Sequence, residues 1–168
     1  MTAESETPTE PGTESQGAAE SSNAAPFQLL AQYIKDLSFE APNTPQIFAA
    51  IQAKQPAINV NVDIRATKLQ EETYEVVLQI NAECKAEEKT AFLLEIEYAG
   101  VVHSALADDA LKAVLLIEIP RLMFPFARNI VSDISRDGGF PPLMLSPMDF
   151  VAMYQRGQTT GAAEPADA

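Results

Sequence analysis

The sequence is poor in the residues that most catalytic and cofactor chemistry requires. Its 168 residues include one cysteine, one histidine and seven glycines. A single thiol, Cys84, can form no intrachain disulfide and cannot join other thiolates around a metal, which suits a reducing compartment. His103 has no second histidine with which to build a zinc site. Away from the termini the glycines are Gly100, Gly138 and Gly139, none of which precedes a Gly-Lys-Ser/Thr triplet, so no phosphate-cradling loop is visible. Positive charge is also scarce. Eleven Lys and Arg stand against 24 Asp and Glu, a formal net charge of −13. Such a field repels nucleic acid and anionic lipid headgroups and complements a cationic protein or peptide. Long apolar runs are missing too: Ala113 to Ile117 is interrupted by Glu118, far short of the roughly 20 residues of a membrane span. The first 26 residues carry no Lys, no Arg and no apolar core, so the features of a secretory signal are absent and the expected location is the cytoplasm.

What is present is enough apolar residue, 46% of the chain, for one packed domain. Residues 1–26 set five glutamates among Ser, Thr, Pro, Gly and Ala, a mixture that cannot bury enough apolar surface to offset ordering entropy, and a disordered acidic tail is expected there. The same reasoning makes 157–168 a C-terminal tail and leaves 27–156 as the folded domain. Removing the seven acidic residues of the two tails from the 24 leaves 17 against 11 basic ones, so the folded part is itself acidic.

Within that domain FQLLAQYIKDLSFE is expected to form a strand that breaks at a turn containing Pro42, Asn43 and Pro45. INVNVDIR follows with the strict period of two of a half-buried strand: Ile58, Val60, Val62 and Ile64 on one face, Asn59, Asn61, Asp63 and Arg65 on the other. TYEVVLQINAE repeats the pattern, and TAFLLEIEYAGVVH supplies a fourth strand ending near Gly100. Four strands with short connections imply an antiparallel sheet. Beyond His103 the sequence turns to helix formers. LADDALKAVLLIEI is expected to stop at Pro120, LMFPFARNIVSDISRDGG to form an amphipathic helix ending at Gly138 and Gly139, and Ser146, Pro147 and Asp149 to open a last helix with Ser146 as its cap. Strands first and helices after make the fold class α+β.

None of the titratable groups forms a recognisable catalytic set. Cys84 sits beside Lys85 without a base spaced to activate it. The pairs Glu71–Glu72 and Glu87–Glu88 flank turns, where carboxylates are ordinarily solvated. Glu95 and Glu97 share a strand face with Leu93, while Leu94, Ile96 and Tyr98 point to the other. That acidic ladder is either a docking surface or an edge kept soluble.

Several segments in order, KDLSFEAPNTPQIF, TYEVVLQI, EEKTAFLLEIEYAG and LMFPFARNIVSDISRDGGFPPLMLSPMDF, resemble the SecB family of bacterial protein-export chaperones over roughly Phe27 to Tyr154. The resemblance implies a homotetramer, a dimer of dimers, that holds unfolded preproteins in the cytoplasm and delivers them to the translocation ATPase SecA. It implies no cofactor, no ATP use, no enzymatic activity and no membrane insertion. By the same carry-over Asp36, Glu40, Leu93 and Glu95 would receive the basic, zinc-bearing tail of SecA, and Leu94, Ile96 and Tyr98 would lie at subunit contacts. Phe48, Ile58, Val60 and Val62 are candidates for a client groove, the competing reading being ordinary core. Lys54, before Gln55 and Pro56, replaces a tryptophan that some relatives carry there, and the N-terminal extension lies outside the resemblance. Two alternatives remain at this level: a SecB-like chaperone acting outside export, such as one controlling a toxin–antitoxin pair, and a small enzyme dependent on His103 or Cys84.

Overall fold

Alternation of apolar and polar residues builds a four-stranded antiparallel sheet. The computed structural model describes residues 26–161; the expected N-terminal tail, apart from Pro26, and residues 162–168 of the C-terminal one lie outside them. Strand β1 spans Gln28–Glu40, β2 Ala57–Gln70, β3 Thr73–Ala86 and β4 Lys89–His103, three residues beyond the expected end. Spatial order is β1-β4-β3-β2. Strands β2, β3 and β4 form a meander of tight hairpins, whereas β1 joins the far side of β4 and its connection to β2 crosses two strands. That crossing carries helix α1 (Ile47–Ala53), which the sequence reading missed by ending at the proline turn.

The inner sheet face collects Leu78, Ile80 and Ala82 of β3 with Leu94, Ile96 and Tyr98 of β4. Each of the larger aliphatic side chains contributes about 2 kcal/mol when withdrawn from water. Over them lies a long helical rod: α2 (Asp108–Ala113), a π-helical turn (Val114–Glu118) and α3 (Ile119–Asp137). The break expected at Pro120 is absent. Proline cannot donate to the fourth carbonyl before it, but the preceding turn widens so that the Val114 carbonyl accepts from the N–H of Ile119, five residues on. The backbone stays helical on both sides. Ile119, Met123, Phe124, Ala127 and Val131 are the α3 residues that enter the core.

Gly138 ends α3 where a Cβ would lie 2.5 Å from the Phe39 ring, and Gly139 follows at φ +88. The chain then returns over the inner face, held by the Leu143 N–H donating to the buried Ser135 hydroxyl at 2.8 Å. Helix α4 spans Phe150–Gly161, so it includes residues 157–161 that composition assigned to the tail. Its cap is Asp149, whose carboxylate accepts from the Ala152 N–H at 2.9 Å, rather than Ser146. Among the described residues no helix is long and apolar enough to cross a membrane.

The β3–β4 hairpin closes through Glu87 and Glu88, both at positive φ (50 and 63). Left-handed backbone at two consecutive glutamates is unfavourable compared with Asn-Gly, which suits that turn. Replacing the pair (Glu87→Asn with Glu88→Gly) is expected to raise unfolding free energy by about 1–2 kcal/mol, read as a higher urea midpoint at unchanged slope.

Candidate functional site

The outer face of the sheet is built from the other half of the same alternation. Strand register sets cross-strand rows on it: Asn59, Glu83, Leu93 and Glu40; then Asn61, Asn81, Glu95 and Ser38; then Asp63, Gln79, Glu97 and Asp36. The four residues assigned by resemblance to SecA, Asp36, Glu40, Leu93 and Glu95, therefore share one face at the β1–β4 side of the sheet. A bulge in β1 between Ile34 and Asp36 brings Asp36 opposite Glu97. A depression of about 260 Å³ opens beside them, lined by Asn59, Asn61, Asn81, Glu83, Leu93 and Glu95. Asn81 was not singled out from the sequence. Its side-chain oxygen is buried with no hydrogen-bond partner among the described residues. Strand periodicity places it beside Glu95, but only the register makes it central.

Further along the same face two charged links span an intervening strand. Lys35 of β1 reaches over β4 to Glu75 of β3 at 2.7 Å, and the Tyr33 hydroxyl donates to the same carboxylate. Arg65 of β2 reaches over β3 to Glu97 of β4. Small residues permit this: Ala99, fully buried, lies between Tyr33 and Val77 in the ladder. The hydrogen bonds from Lys35 and Tyr33 hold the Glu75 carboxyl below its ordinary value, and the same carboxylate pushes Tyr33 up to about 12.

The second site lies on the inner face at the opposite edge. Ile58, Val60 and Val62 of β2 and the returning segment Leu143–Met148 line a groove of about 350 Å³. Its walls are predominantly apolar. Ile58 and Val60 are exposed rather than core, because the helical layer covers β3 and β4 and stops short of their end of β2. Phe48 is not among the lining residues. It belongs to α1, and its ring stands 5.2 Å from that of Phe140 in a cluster with Phe39 and Phe92. Leu143, Met144 and Met148 escaped the sequence reading, which saw in GGFPPLMLSP a family signature and not a wall.

Leu94, Ile96 and Tyr98, expected at subunit contacts, are instead covered within the chain: the first two are 0% exposed and Tyr98 8%. The helical rod occupies the face they present. Apolar side chains left uncovered lie elsewhere, at Leu30 and Ile34 of edge strand β1 and at Leu122 and Phe126 on the outer side of α3.

The groups considered for catalysis stay apart. Cys84 is buried and burial pushes its thiol up, the opposite of an activated nucleophile. His103 is exposed, with Glu72 at 3.7 Å. Among the described residues no three His, Cys, Asp or Glu side chains converge as a metal site.

The family model described as preprotein translocase subunit SecB matches residues 20–160. The protein-export protein SecB of Rhodospirillum rubrum is 51% identical over 148 residues, covering 86% of this chain and 92% of that protein. The protein of the same name from Parvibaculum lavamentivorans is 45% identical over 160 residues, covering 92% and 95%. Among solved structures, a Mycobacterium tuberculosis SecB-like chaperone in complex with an antitoxin peptide shares the fold at a TM-score of 0.61 and 15% identity, over 74% of this chain and 93% of that one.

The Glu75 links make stability depend on acidity. A carboxyl held low in the folded state adds stability that is complete above its unfolded value, 4.5, and is lost as pH falls through the lowered folded value. Urea midpoints of the wild type and Glu75→Gln are expected to differ at neutral pH and to converge as pH drops below 4.5. A gap that persists into acid would show that the links add nothing.

Proposed function

The chain belongs to the SecB family, and on that premise we propose that it is an ATP-independent holdase. It binds unfolded preproteins in the cytoplasm, keeps them competent for translocation and delivers them to SecA. The observation that carries this reading is the groove between β2 and Leu143–Met148. Among its lining residues Ile58, Val60 and Met144 keep apolar side chains exposed at 48%, 37% and 68%, and such a surface suits extended apolar segments of an unfolded polypeptide. Methionines on one wall give it adaptable, polarizable contacts in place of a fixed side-chain code.

Delivery is assigned to the outer face. Asp36, Glu40 and Glu95 present carboxylates around Leu93, and an acidic face with one apolar centre complements a basic segment such as the zinc-bearing tail of SecA. Groove and acidic face lie on opposite sides of the sheet, so client and SecA can be held together. Neither role calls on a cofactor.

Self-association is assigned to the uncovered apolar surfaces. Edge strand β1 carries Leu30 and Ile34, and α3 carries Leu122 and Phe126 at 48% and 52% exposure. An unpaired strand edge and an apolar helix stripe are two separate surfaces, which is what a dimer of dimers needs. Several grooves on one tetramer raise the effective concentration of a long client's next segment, so each contact can stay weak.

Two sets of variants separate the roles. Ile58→Asp and Val60→Asp are expected to weaken binding of an unfolded preprotein by about tenfold or more while SecA binding persists. Asp36→Lys, Glu40→Lys and Glu95→Lys are expected to do the reverse, with the wild-type SecA interaction weakening as salt rises. Equal loss of both activities in either set would remove the two-face assignment. Client binding without SecA binding in the wild type would point to a chaperone acting outside export. Phe126→Glu combined with Leu122→Glu is expected to give a species smaller than the wild type by light scattering, and an unchanged mass would take α3 out of the interface.

A further inference from the structure

We propose that Met144 is a site of reversible oxidation and that its sulfoxide closes the groove to apolar client segments. The inference rests on the client-groove reading above. Met144 is 68% exposed, the highest value among the exposed large apolar side chains of the described residues, whereas Met123 is fully buried. Met148 and Met153 are partly covered. Among the methionines of residues 26–161, oxidant in solution therefore meets the Met144 sulfur first. The buried Cys84 thiol, held protonated by its surroundings, does not compete.

Position gives the oxidation a consequence. Met144 lies in the groove wall opposite Ile58, Val60 and Val62, where an added oxygen converts a flexible apolar side chain into a strongly polar one. The Ser132 hydroxyl of α3 stands 3.5 Å from the Met144 sulfur. A thioether accepts such a hydrogen bond weakly and a sulfoxide oxygen strongly, so the oxidised side chain gains an anchor beside the groove. Seating an apolar client segment there strips water from the remaining acceptor capacity of the sulfoxide oxygen, which Ser132 alone does not satisfy, and that desolvation cost falls on the complex.

The chemistry needs only a peroxide. The sulfur lone pair attacks one peroxide oxygen, the O–O bond breaks, the S–O bond forms and the other oxygen leaves as water. Sulfur loses two electrons and the peroxide gains them. A thiol-dependent methionine sulfoxide reductase reverses the change, taking the oxygen off as water while two thiols become a disulfide.

The test uses the full-length protein titrated with hydrogen peroxide, peptide mapping to locate added oxygen, and binding of a reduced, carboxymethylated protein as a permanently unfolded client. Met144 is expected to take the first oxygen among the methionines of residues 26–161, client binding to fall about tenfold, and reductase treatment to restore it. Met144→Leu, each preparation compared with its own untreated binding, is expected to lose no further affinity on peroxide; Met144→Gln, carrying a polar group of similar length, is expected to bind weakly without oxidant. First oxidation elsewhere, or tight client binding by protein oxidised at Met144, overturns the proposal. Ile58→Asp keeps this distinct from failure of the groove reading. If it loses client while oxidised protein does not, the switch alone is wrong; if neither loses client, the groove reading falls and the switch with it.

Discussion

The structure depends on one constraint: a single sheet has two faces, and the chain carries enough helix to cover one of them. Leu78, Ile80, Leu94 and Ile96 are fully buried beneath Met123, Ala127 and Val131. Because strand side chains alternate strictly, every residue placed in that core commits its neighbours to the opposite face. Burial of Leu94 and Ile96 is thus what presents Leu93 and Glu95 to solvent. The acidic outer face is the obligatory complement of the core.

An uncovered face must be kept soluble and still hold its strands in register. Here that is done by charge bridging. Lys35 with Tyr33 on Glu75 and Arg65 on Glu97 each tie strands that are not adjacent, which small side chains such as Ala99 make possible. These links start at the row of Asp36 and Glu97 and run away from Leu93. In the rows of Leu93 and Glu95, Glu83 pairs with Lys85 at 2.9 Å, so among the described residues the acidic potential there is only partly neutralised.

Incomplete coverage also explains the groove. The helical rod lies over β3 and β4, and the return from Gly139 to Asp149 passes beside β2 without sealing it. Ser135 holds Leu143 inward, which leaves Met144 outward. A core position and a groove wall on the same sheet face therefore differ only by distance from the helix: Ile80 of β3 is buried, while Ile58 of the neighbouring β2 is half exposed. A groove of this sort needs no special residues, only an apolar face that the helical layer does not finish covering.

Strand number, antiparallel pairing and, in β2, β3 and β4, the side to which successive residues point were legible in the sequence, because a period of two is local; the bulges of β1 were not. Glu95 and Glu97 with Leu93 were legible for the same reason, whereas Asp36 reaches their face only through the bulge after Ile34. Helix α1, the passage of the rod through Pro120 and the Asp149 cap were not, since each depends on which competing local signal the surrounding packing satisfies. The fate of an apolar strand face was not legible either. Periodicity says that Val60 and Leu94 are turned the same way as their apolar neighbours, but whether a helix, a client or a second subunit covers them is set by where the rod lies. That is why Leu94, Ile96 and Tyr98 proved to be core and Phe48 part of an aromatic cluster. Alternation, a property of consecutive residues, was determined by the sequence alone; coverage, a property of elements far apart in the chain, was decided by the tertiary structure.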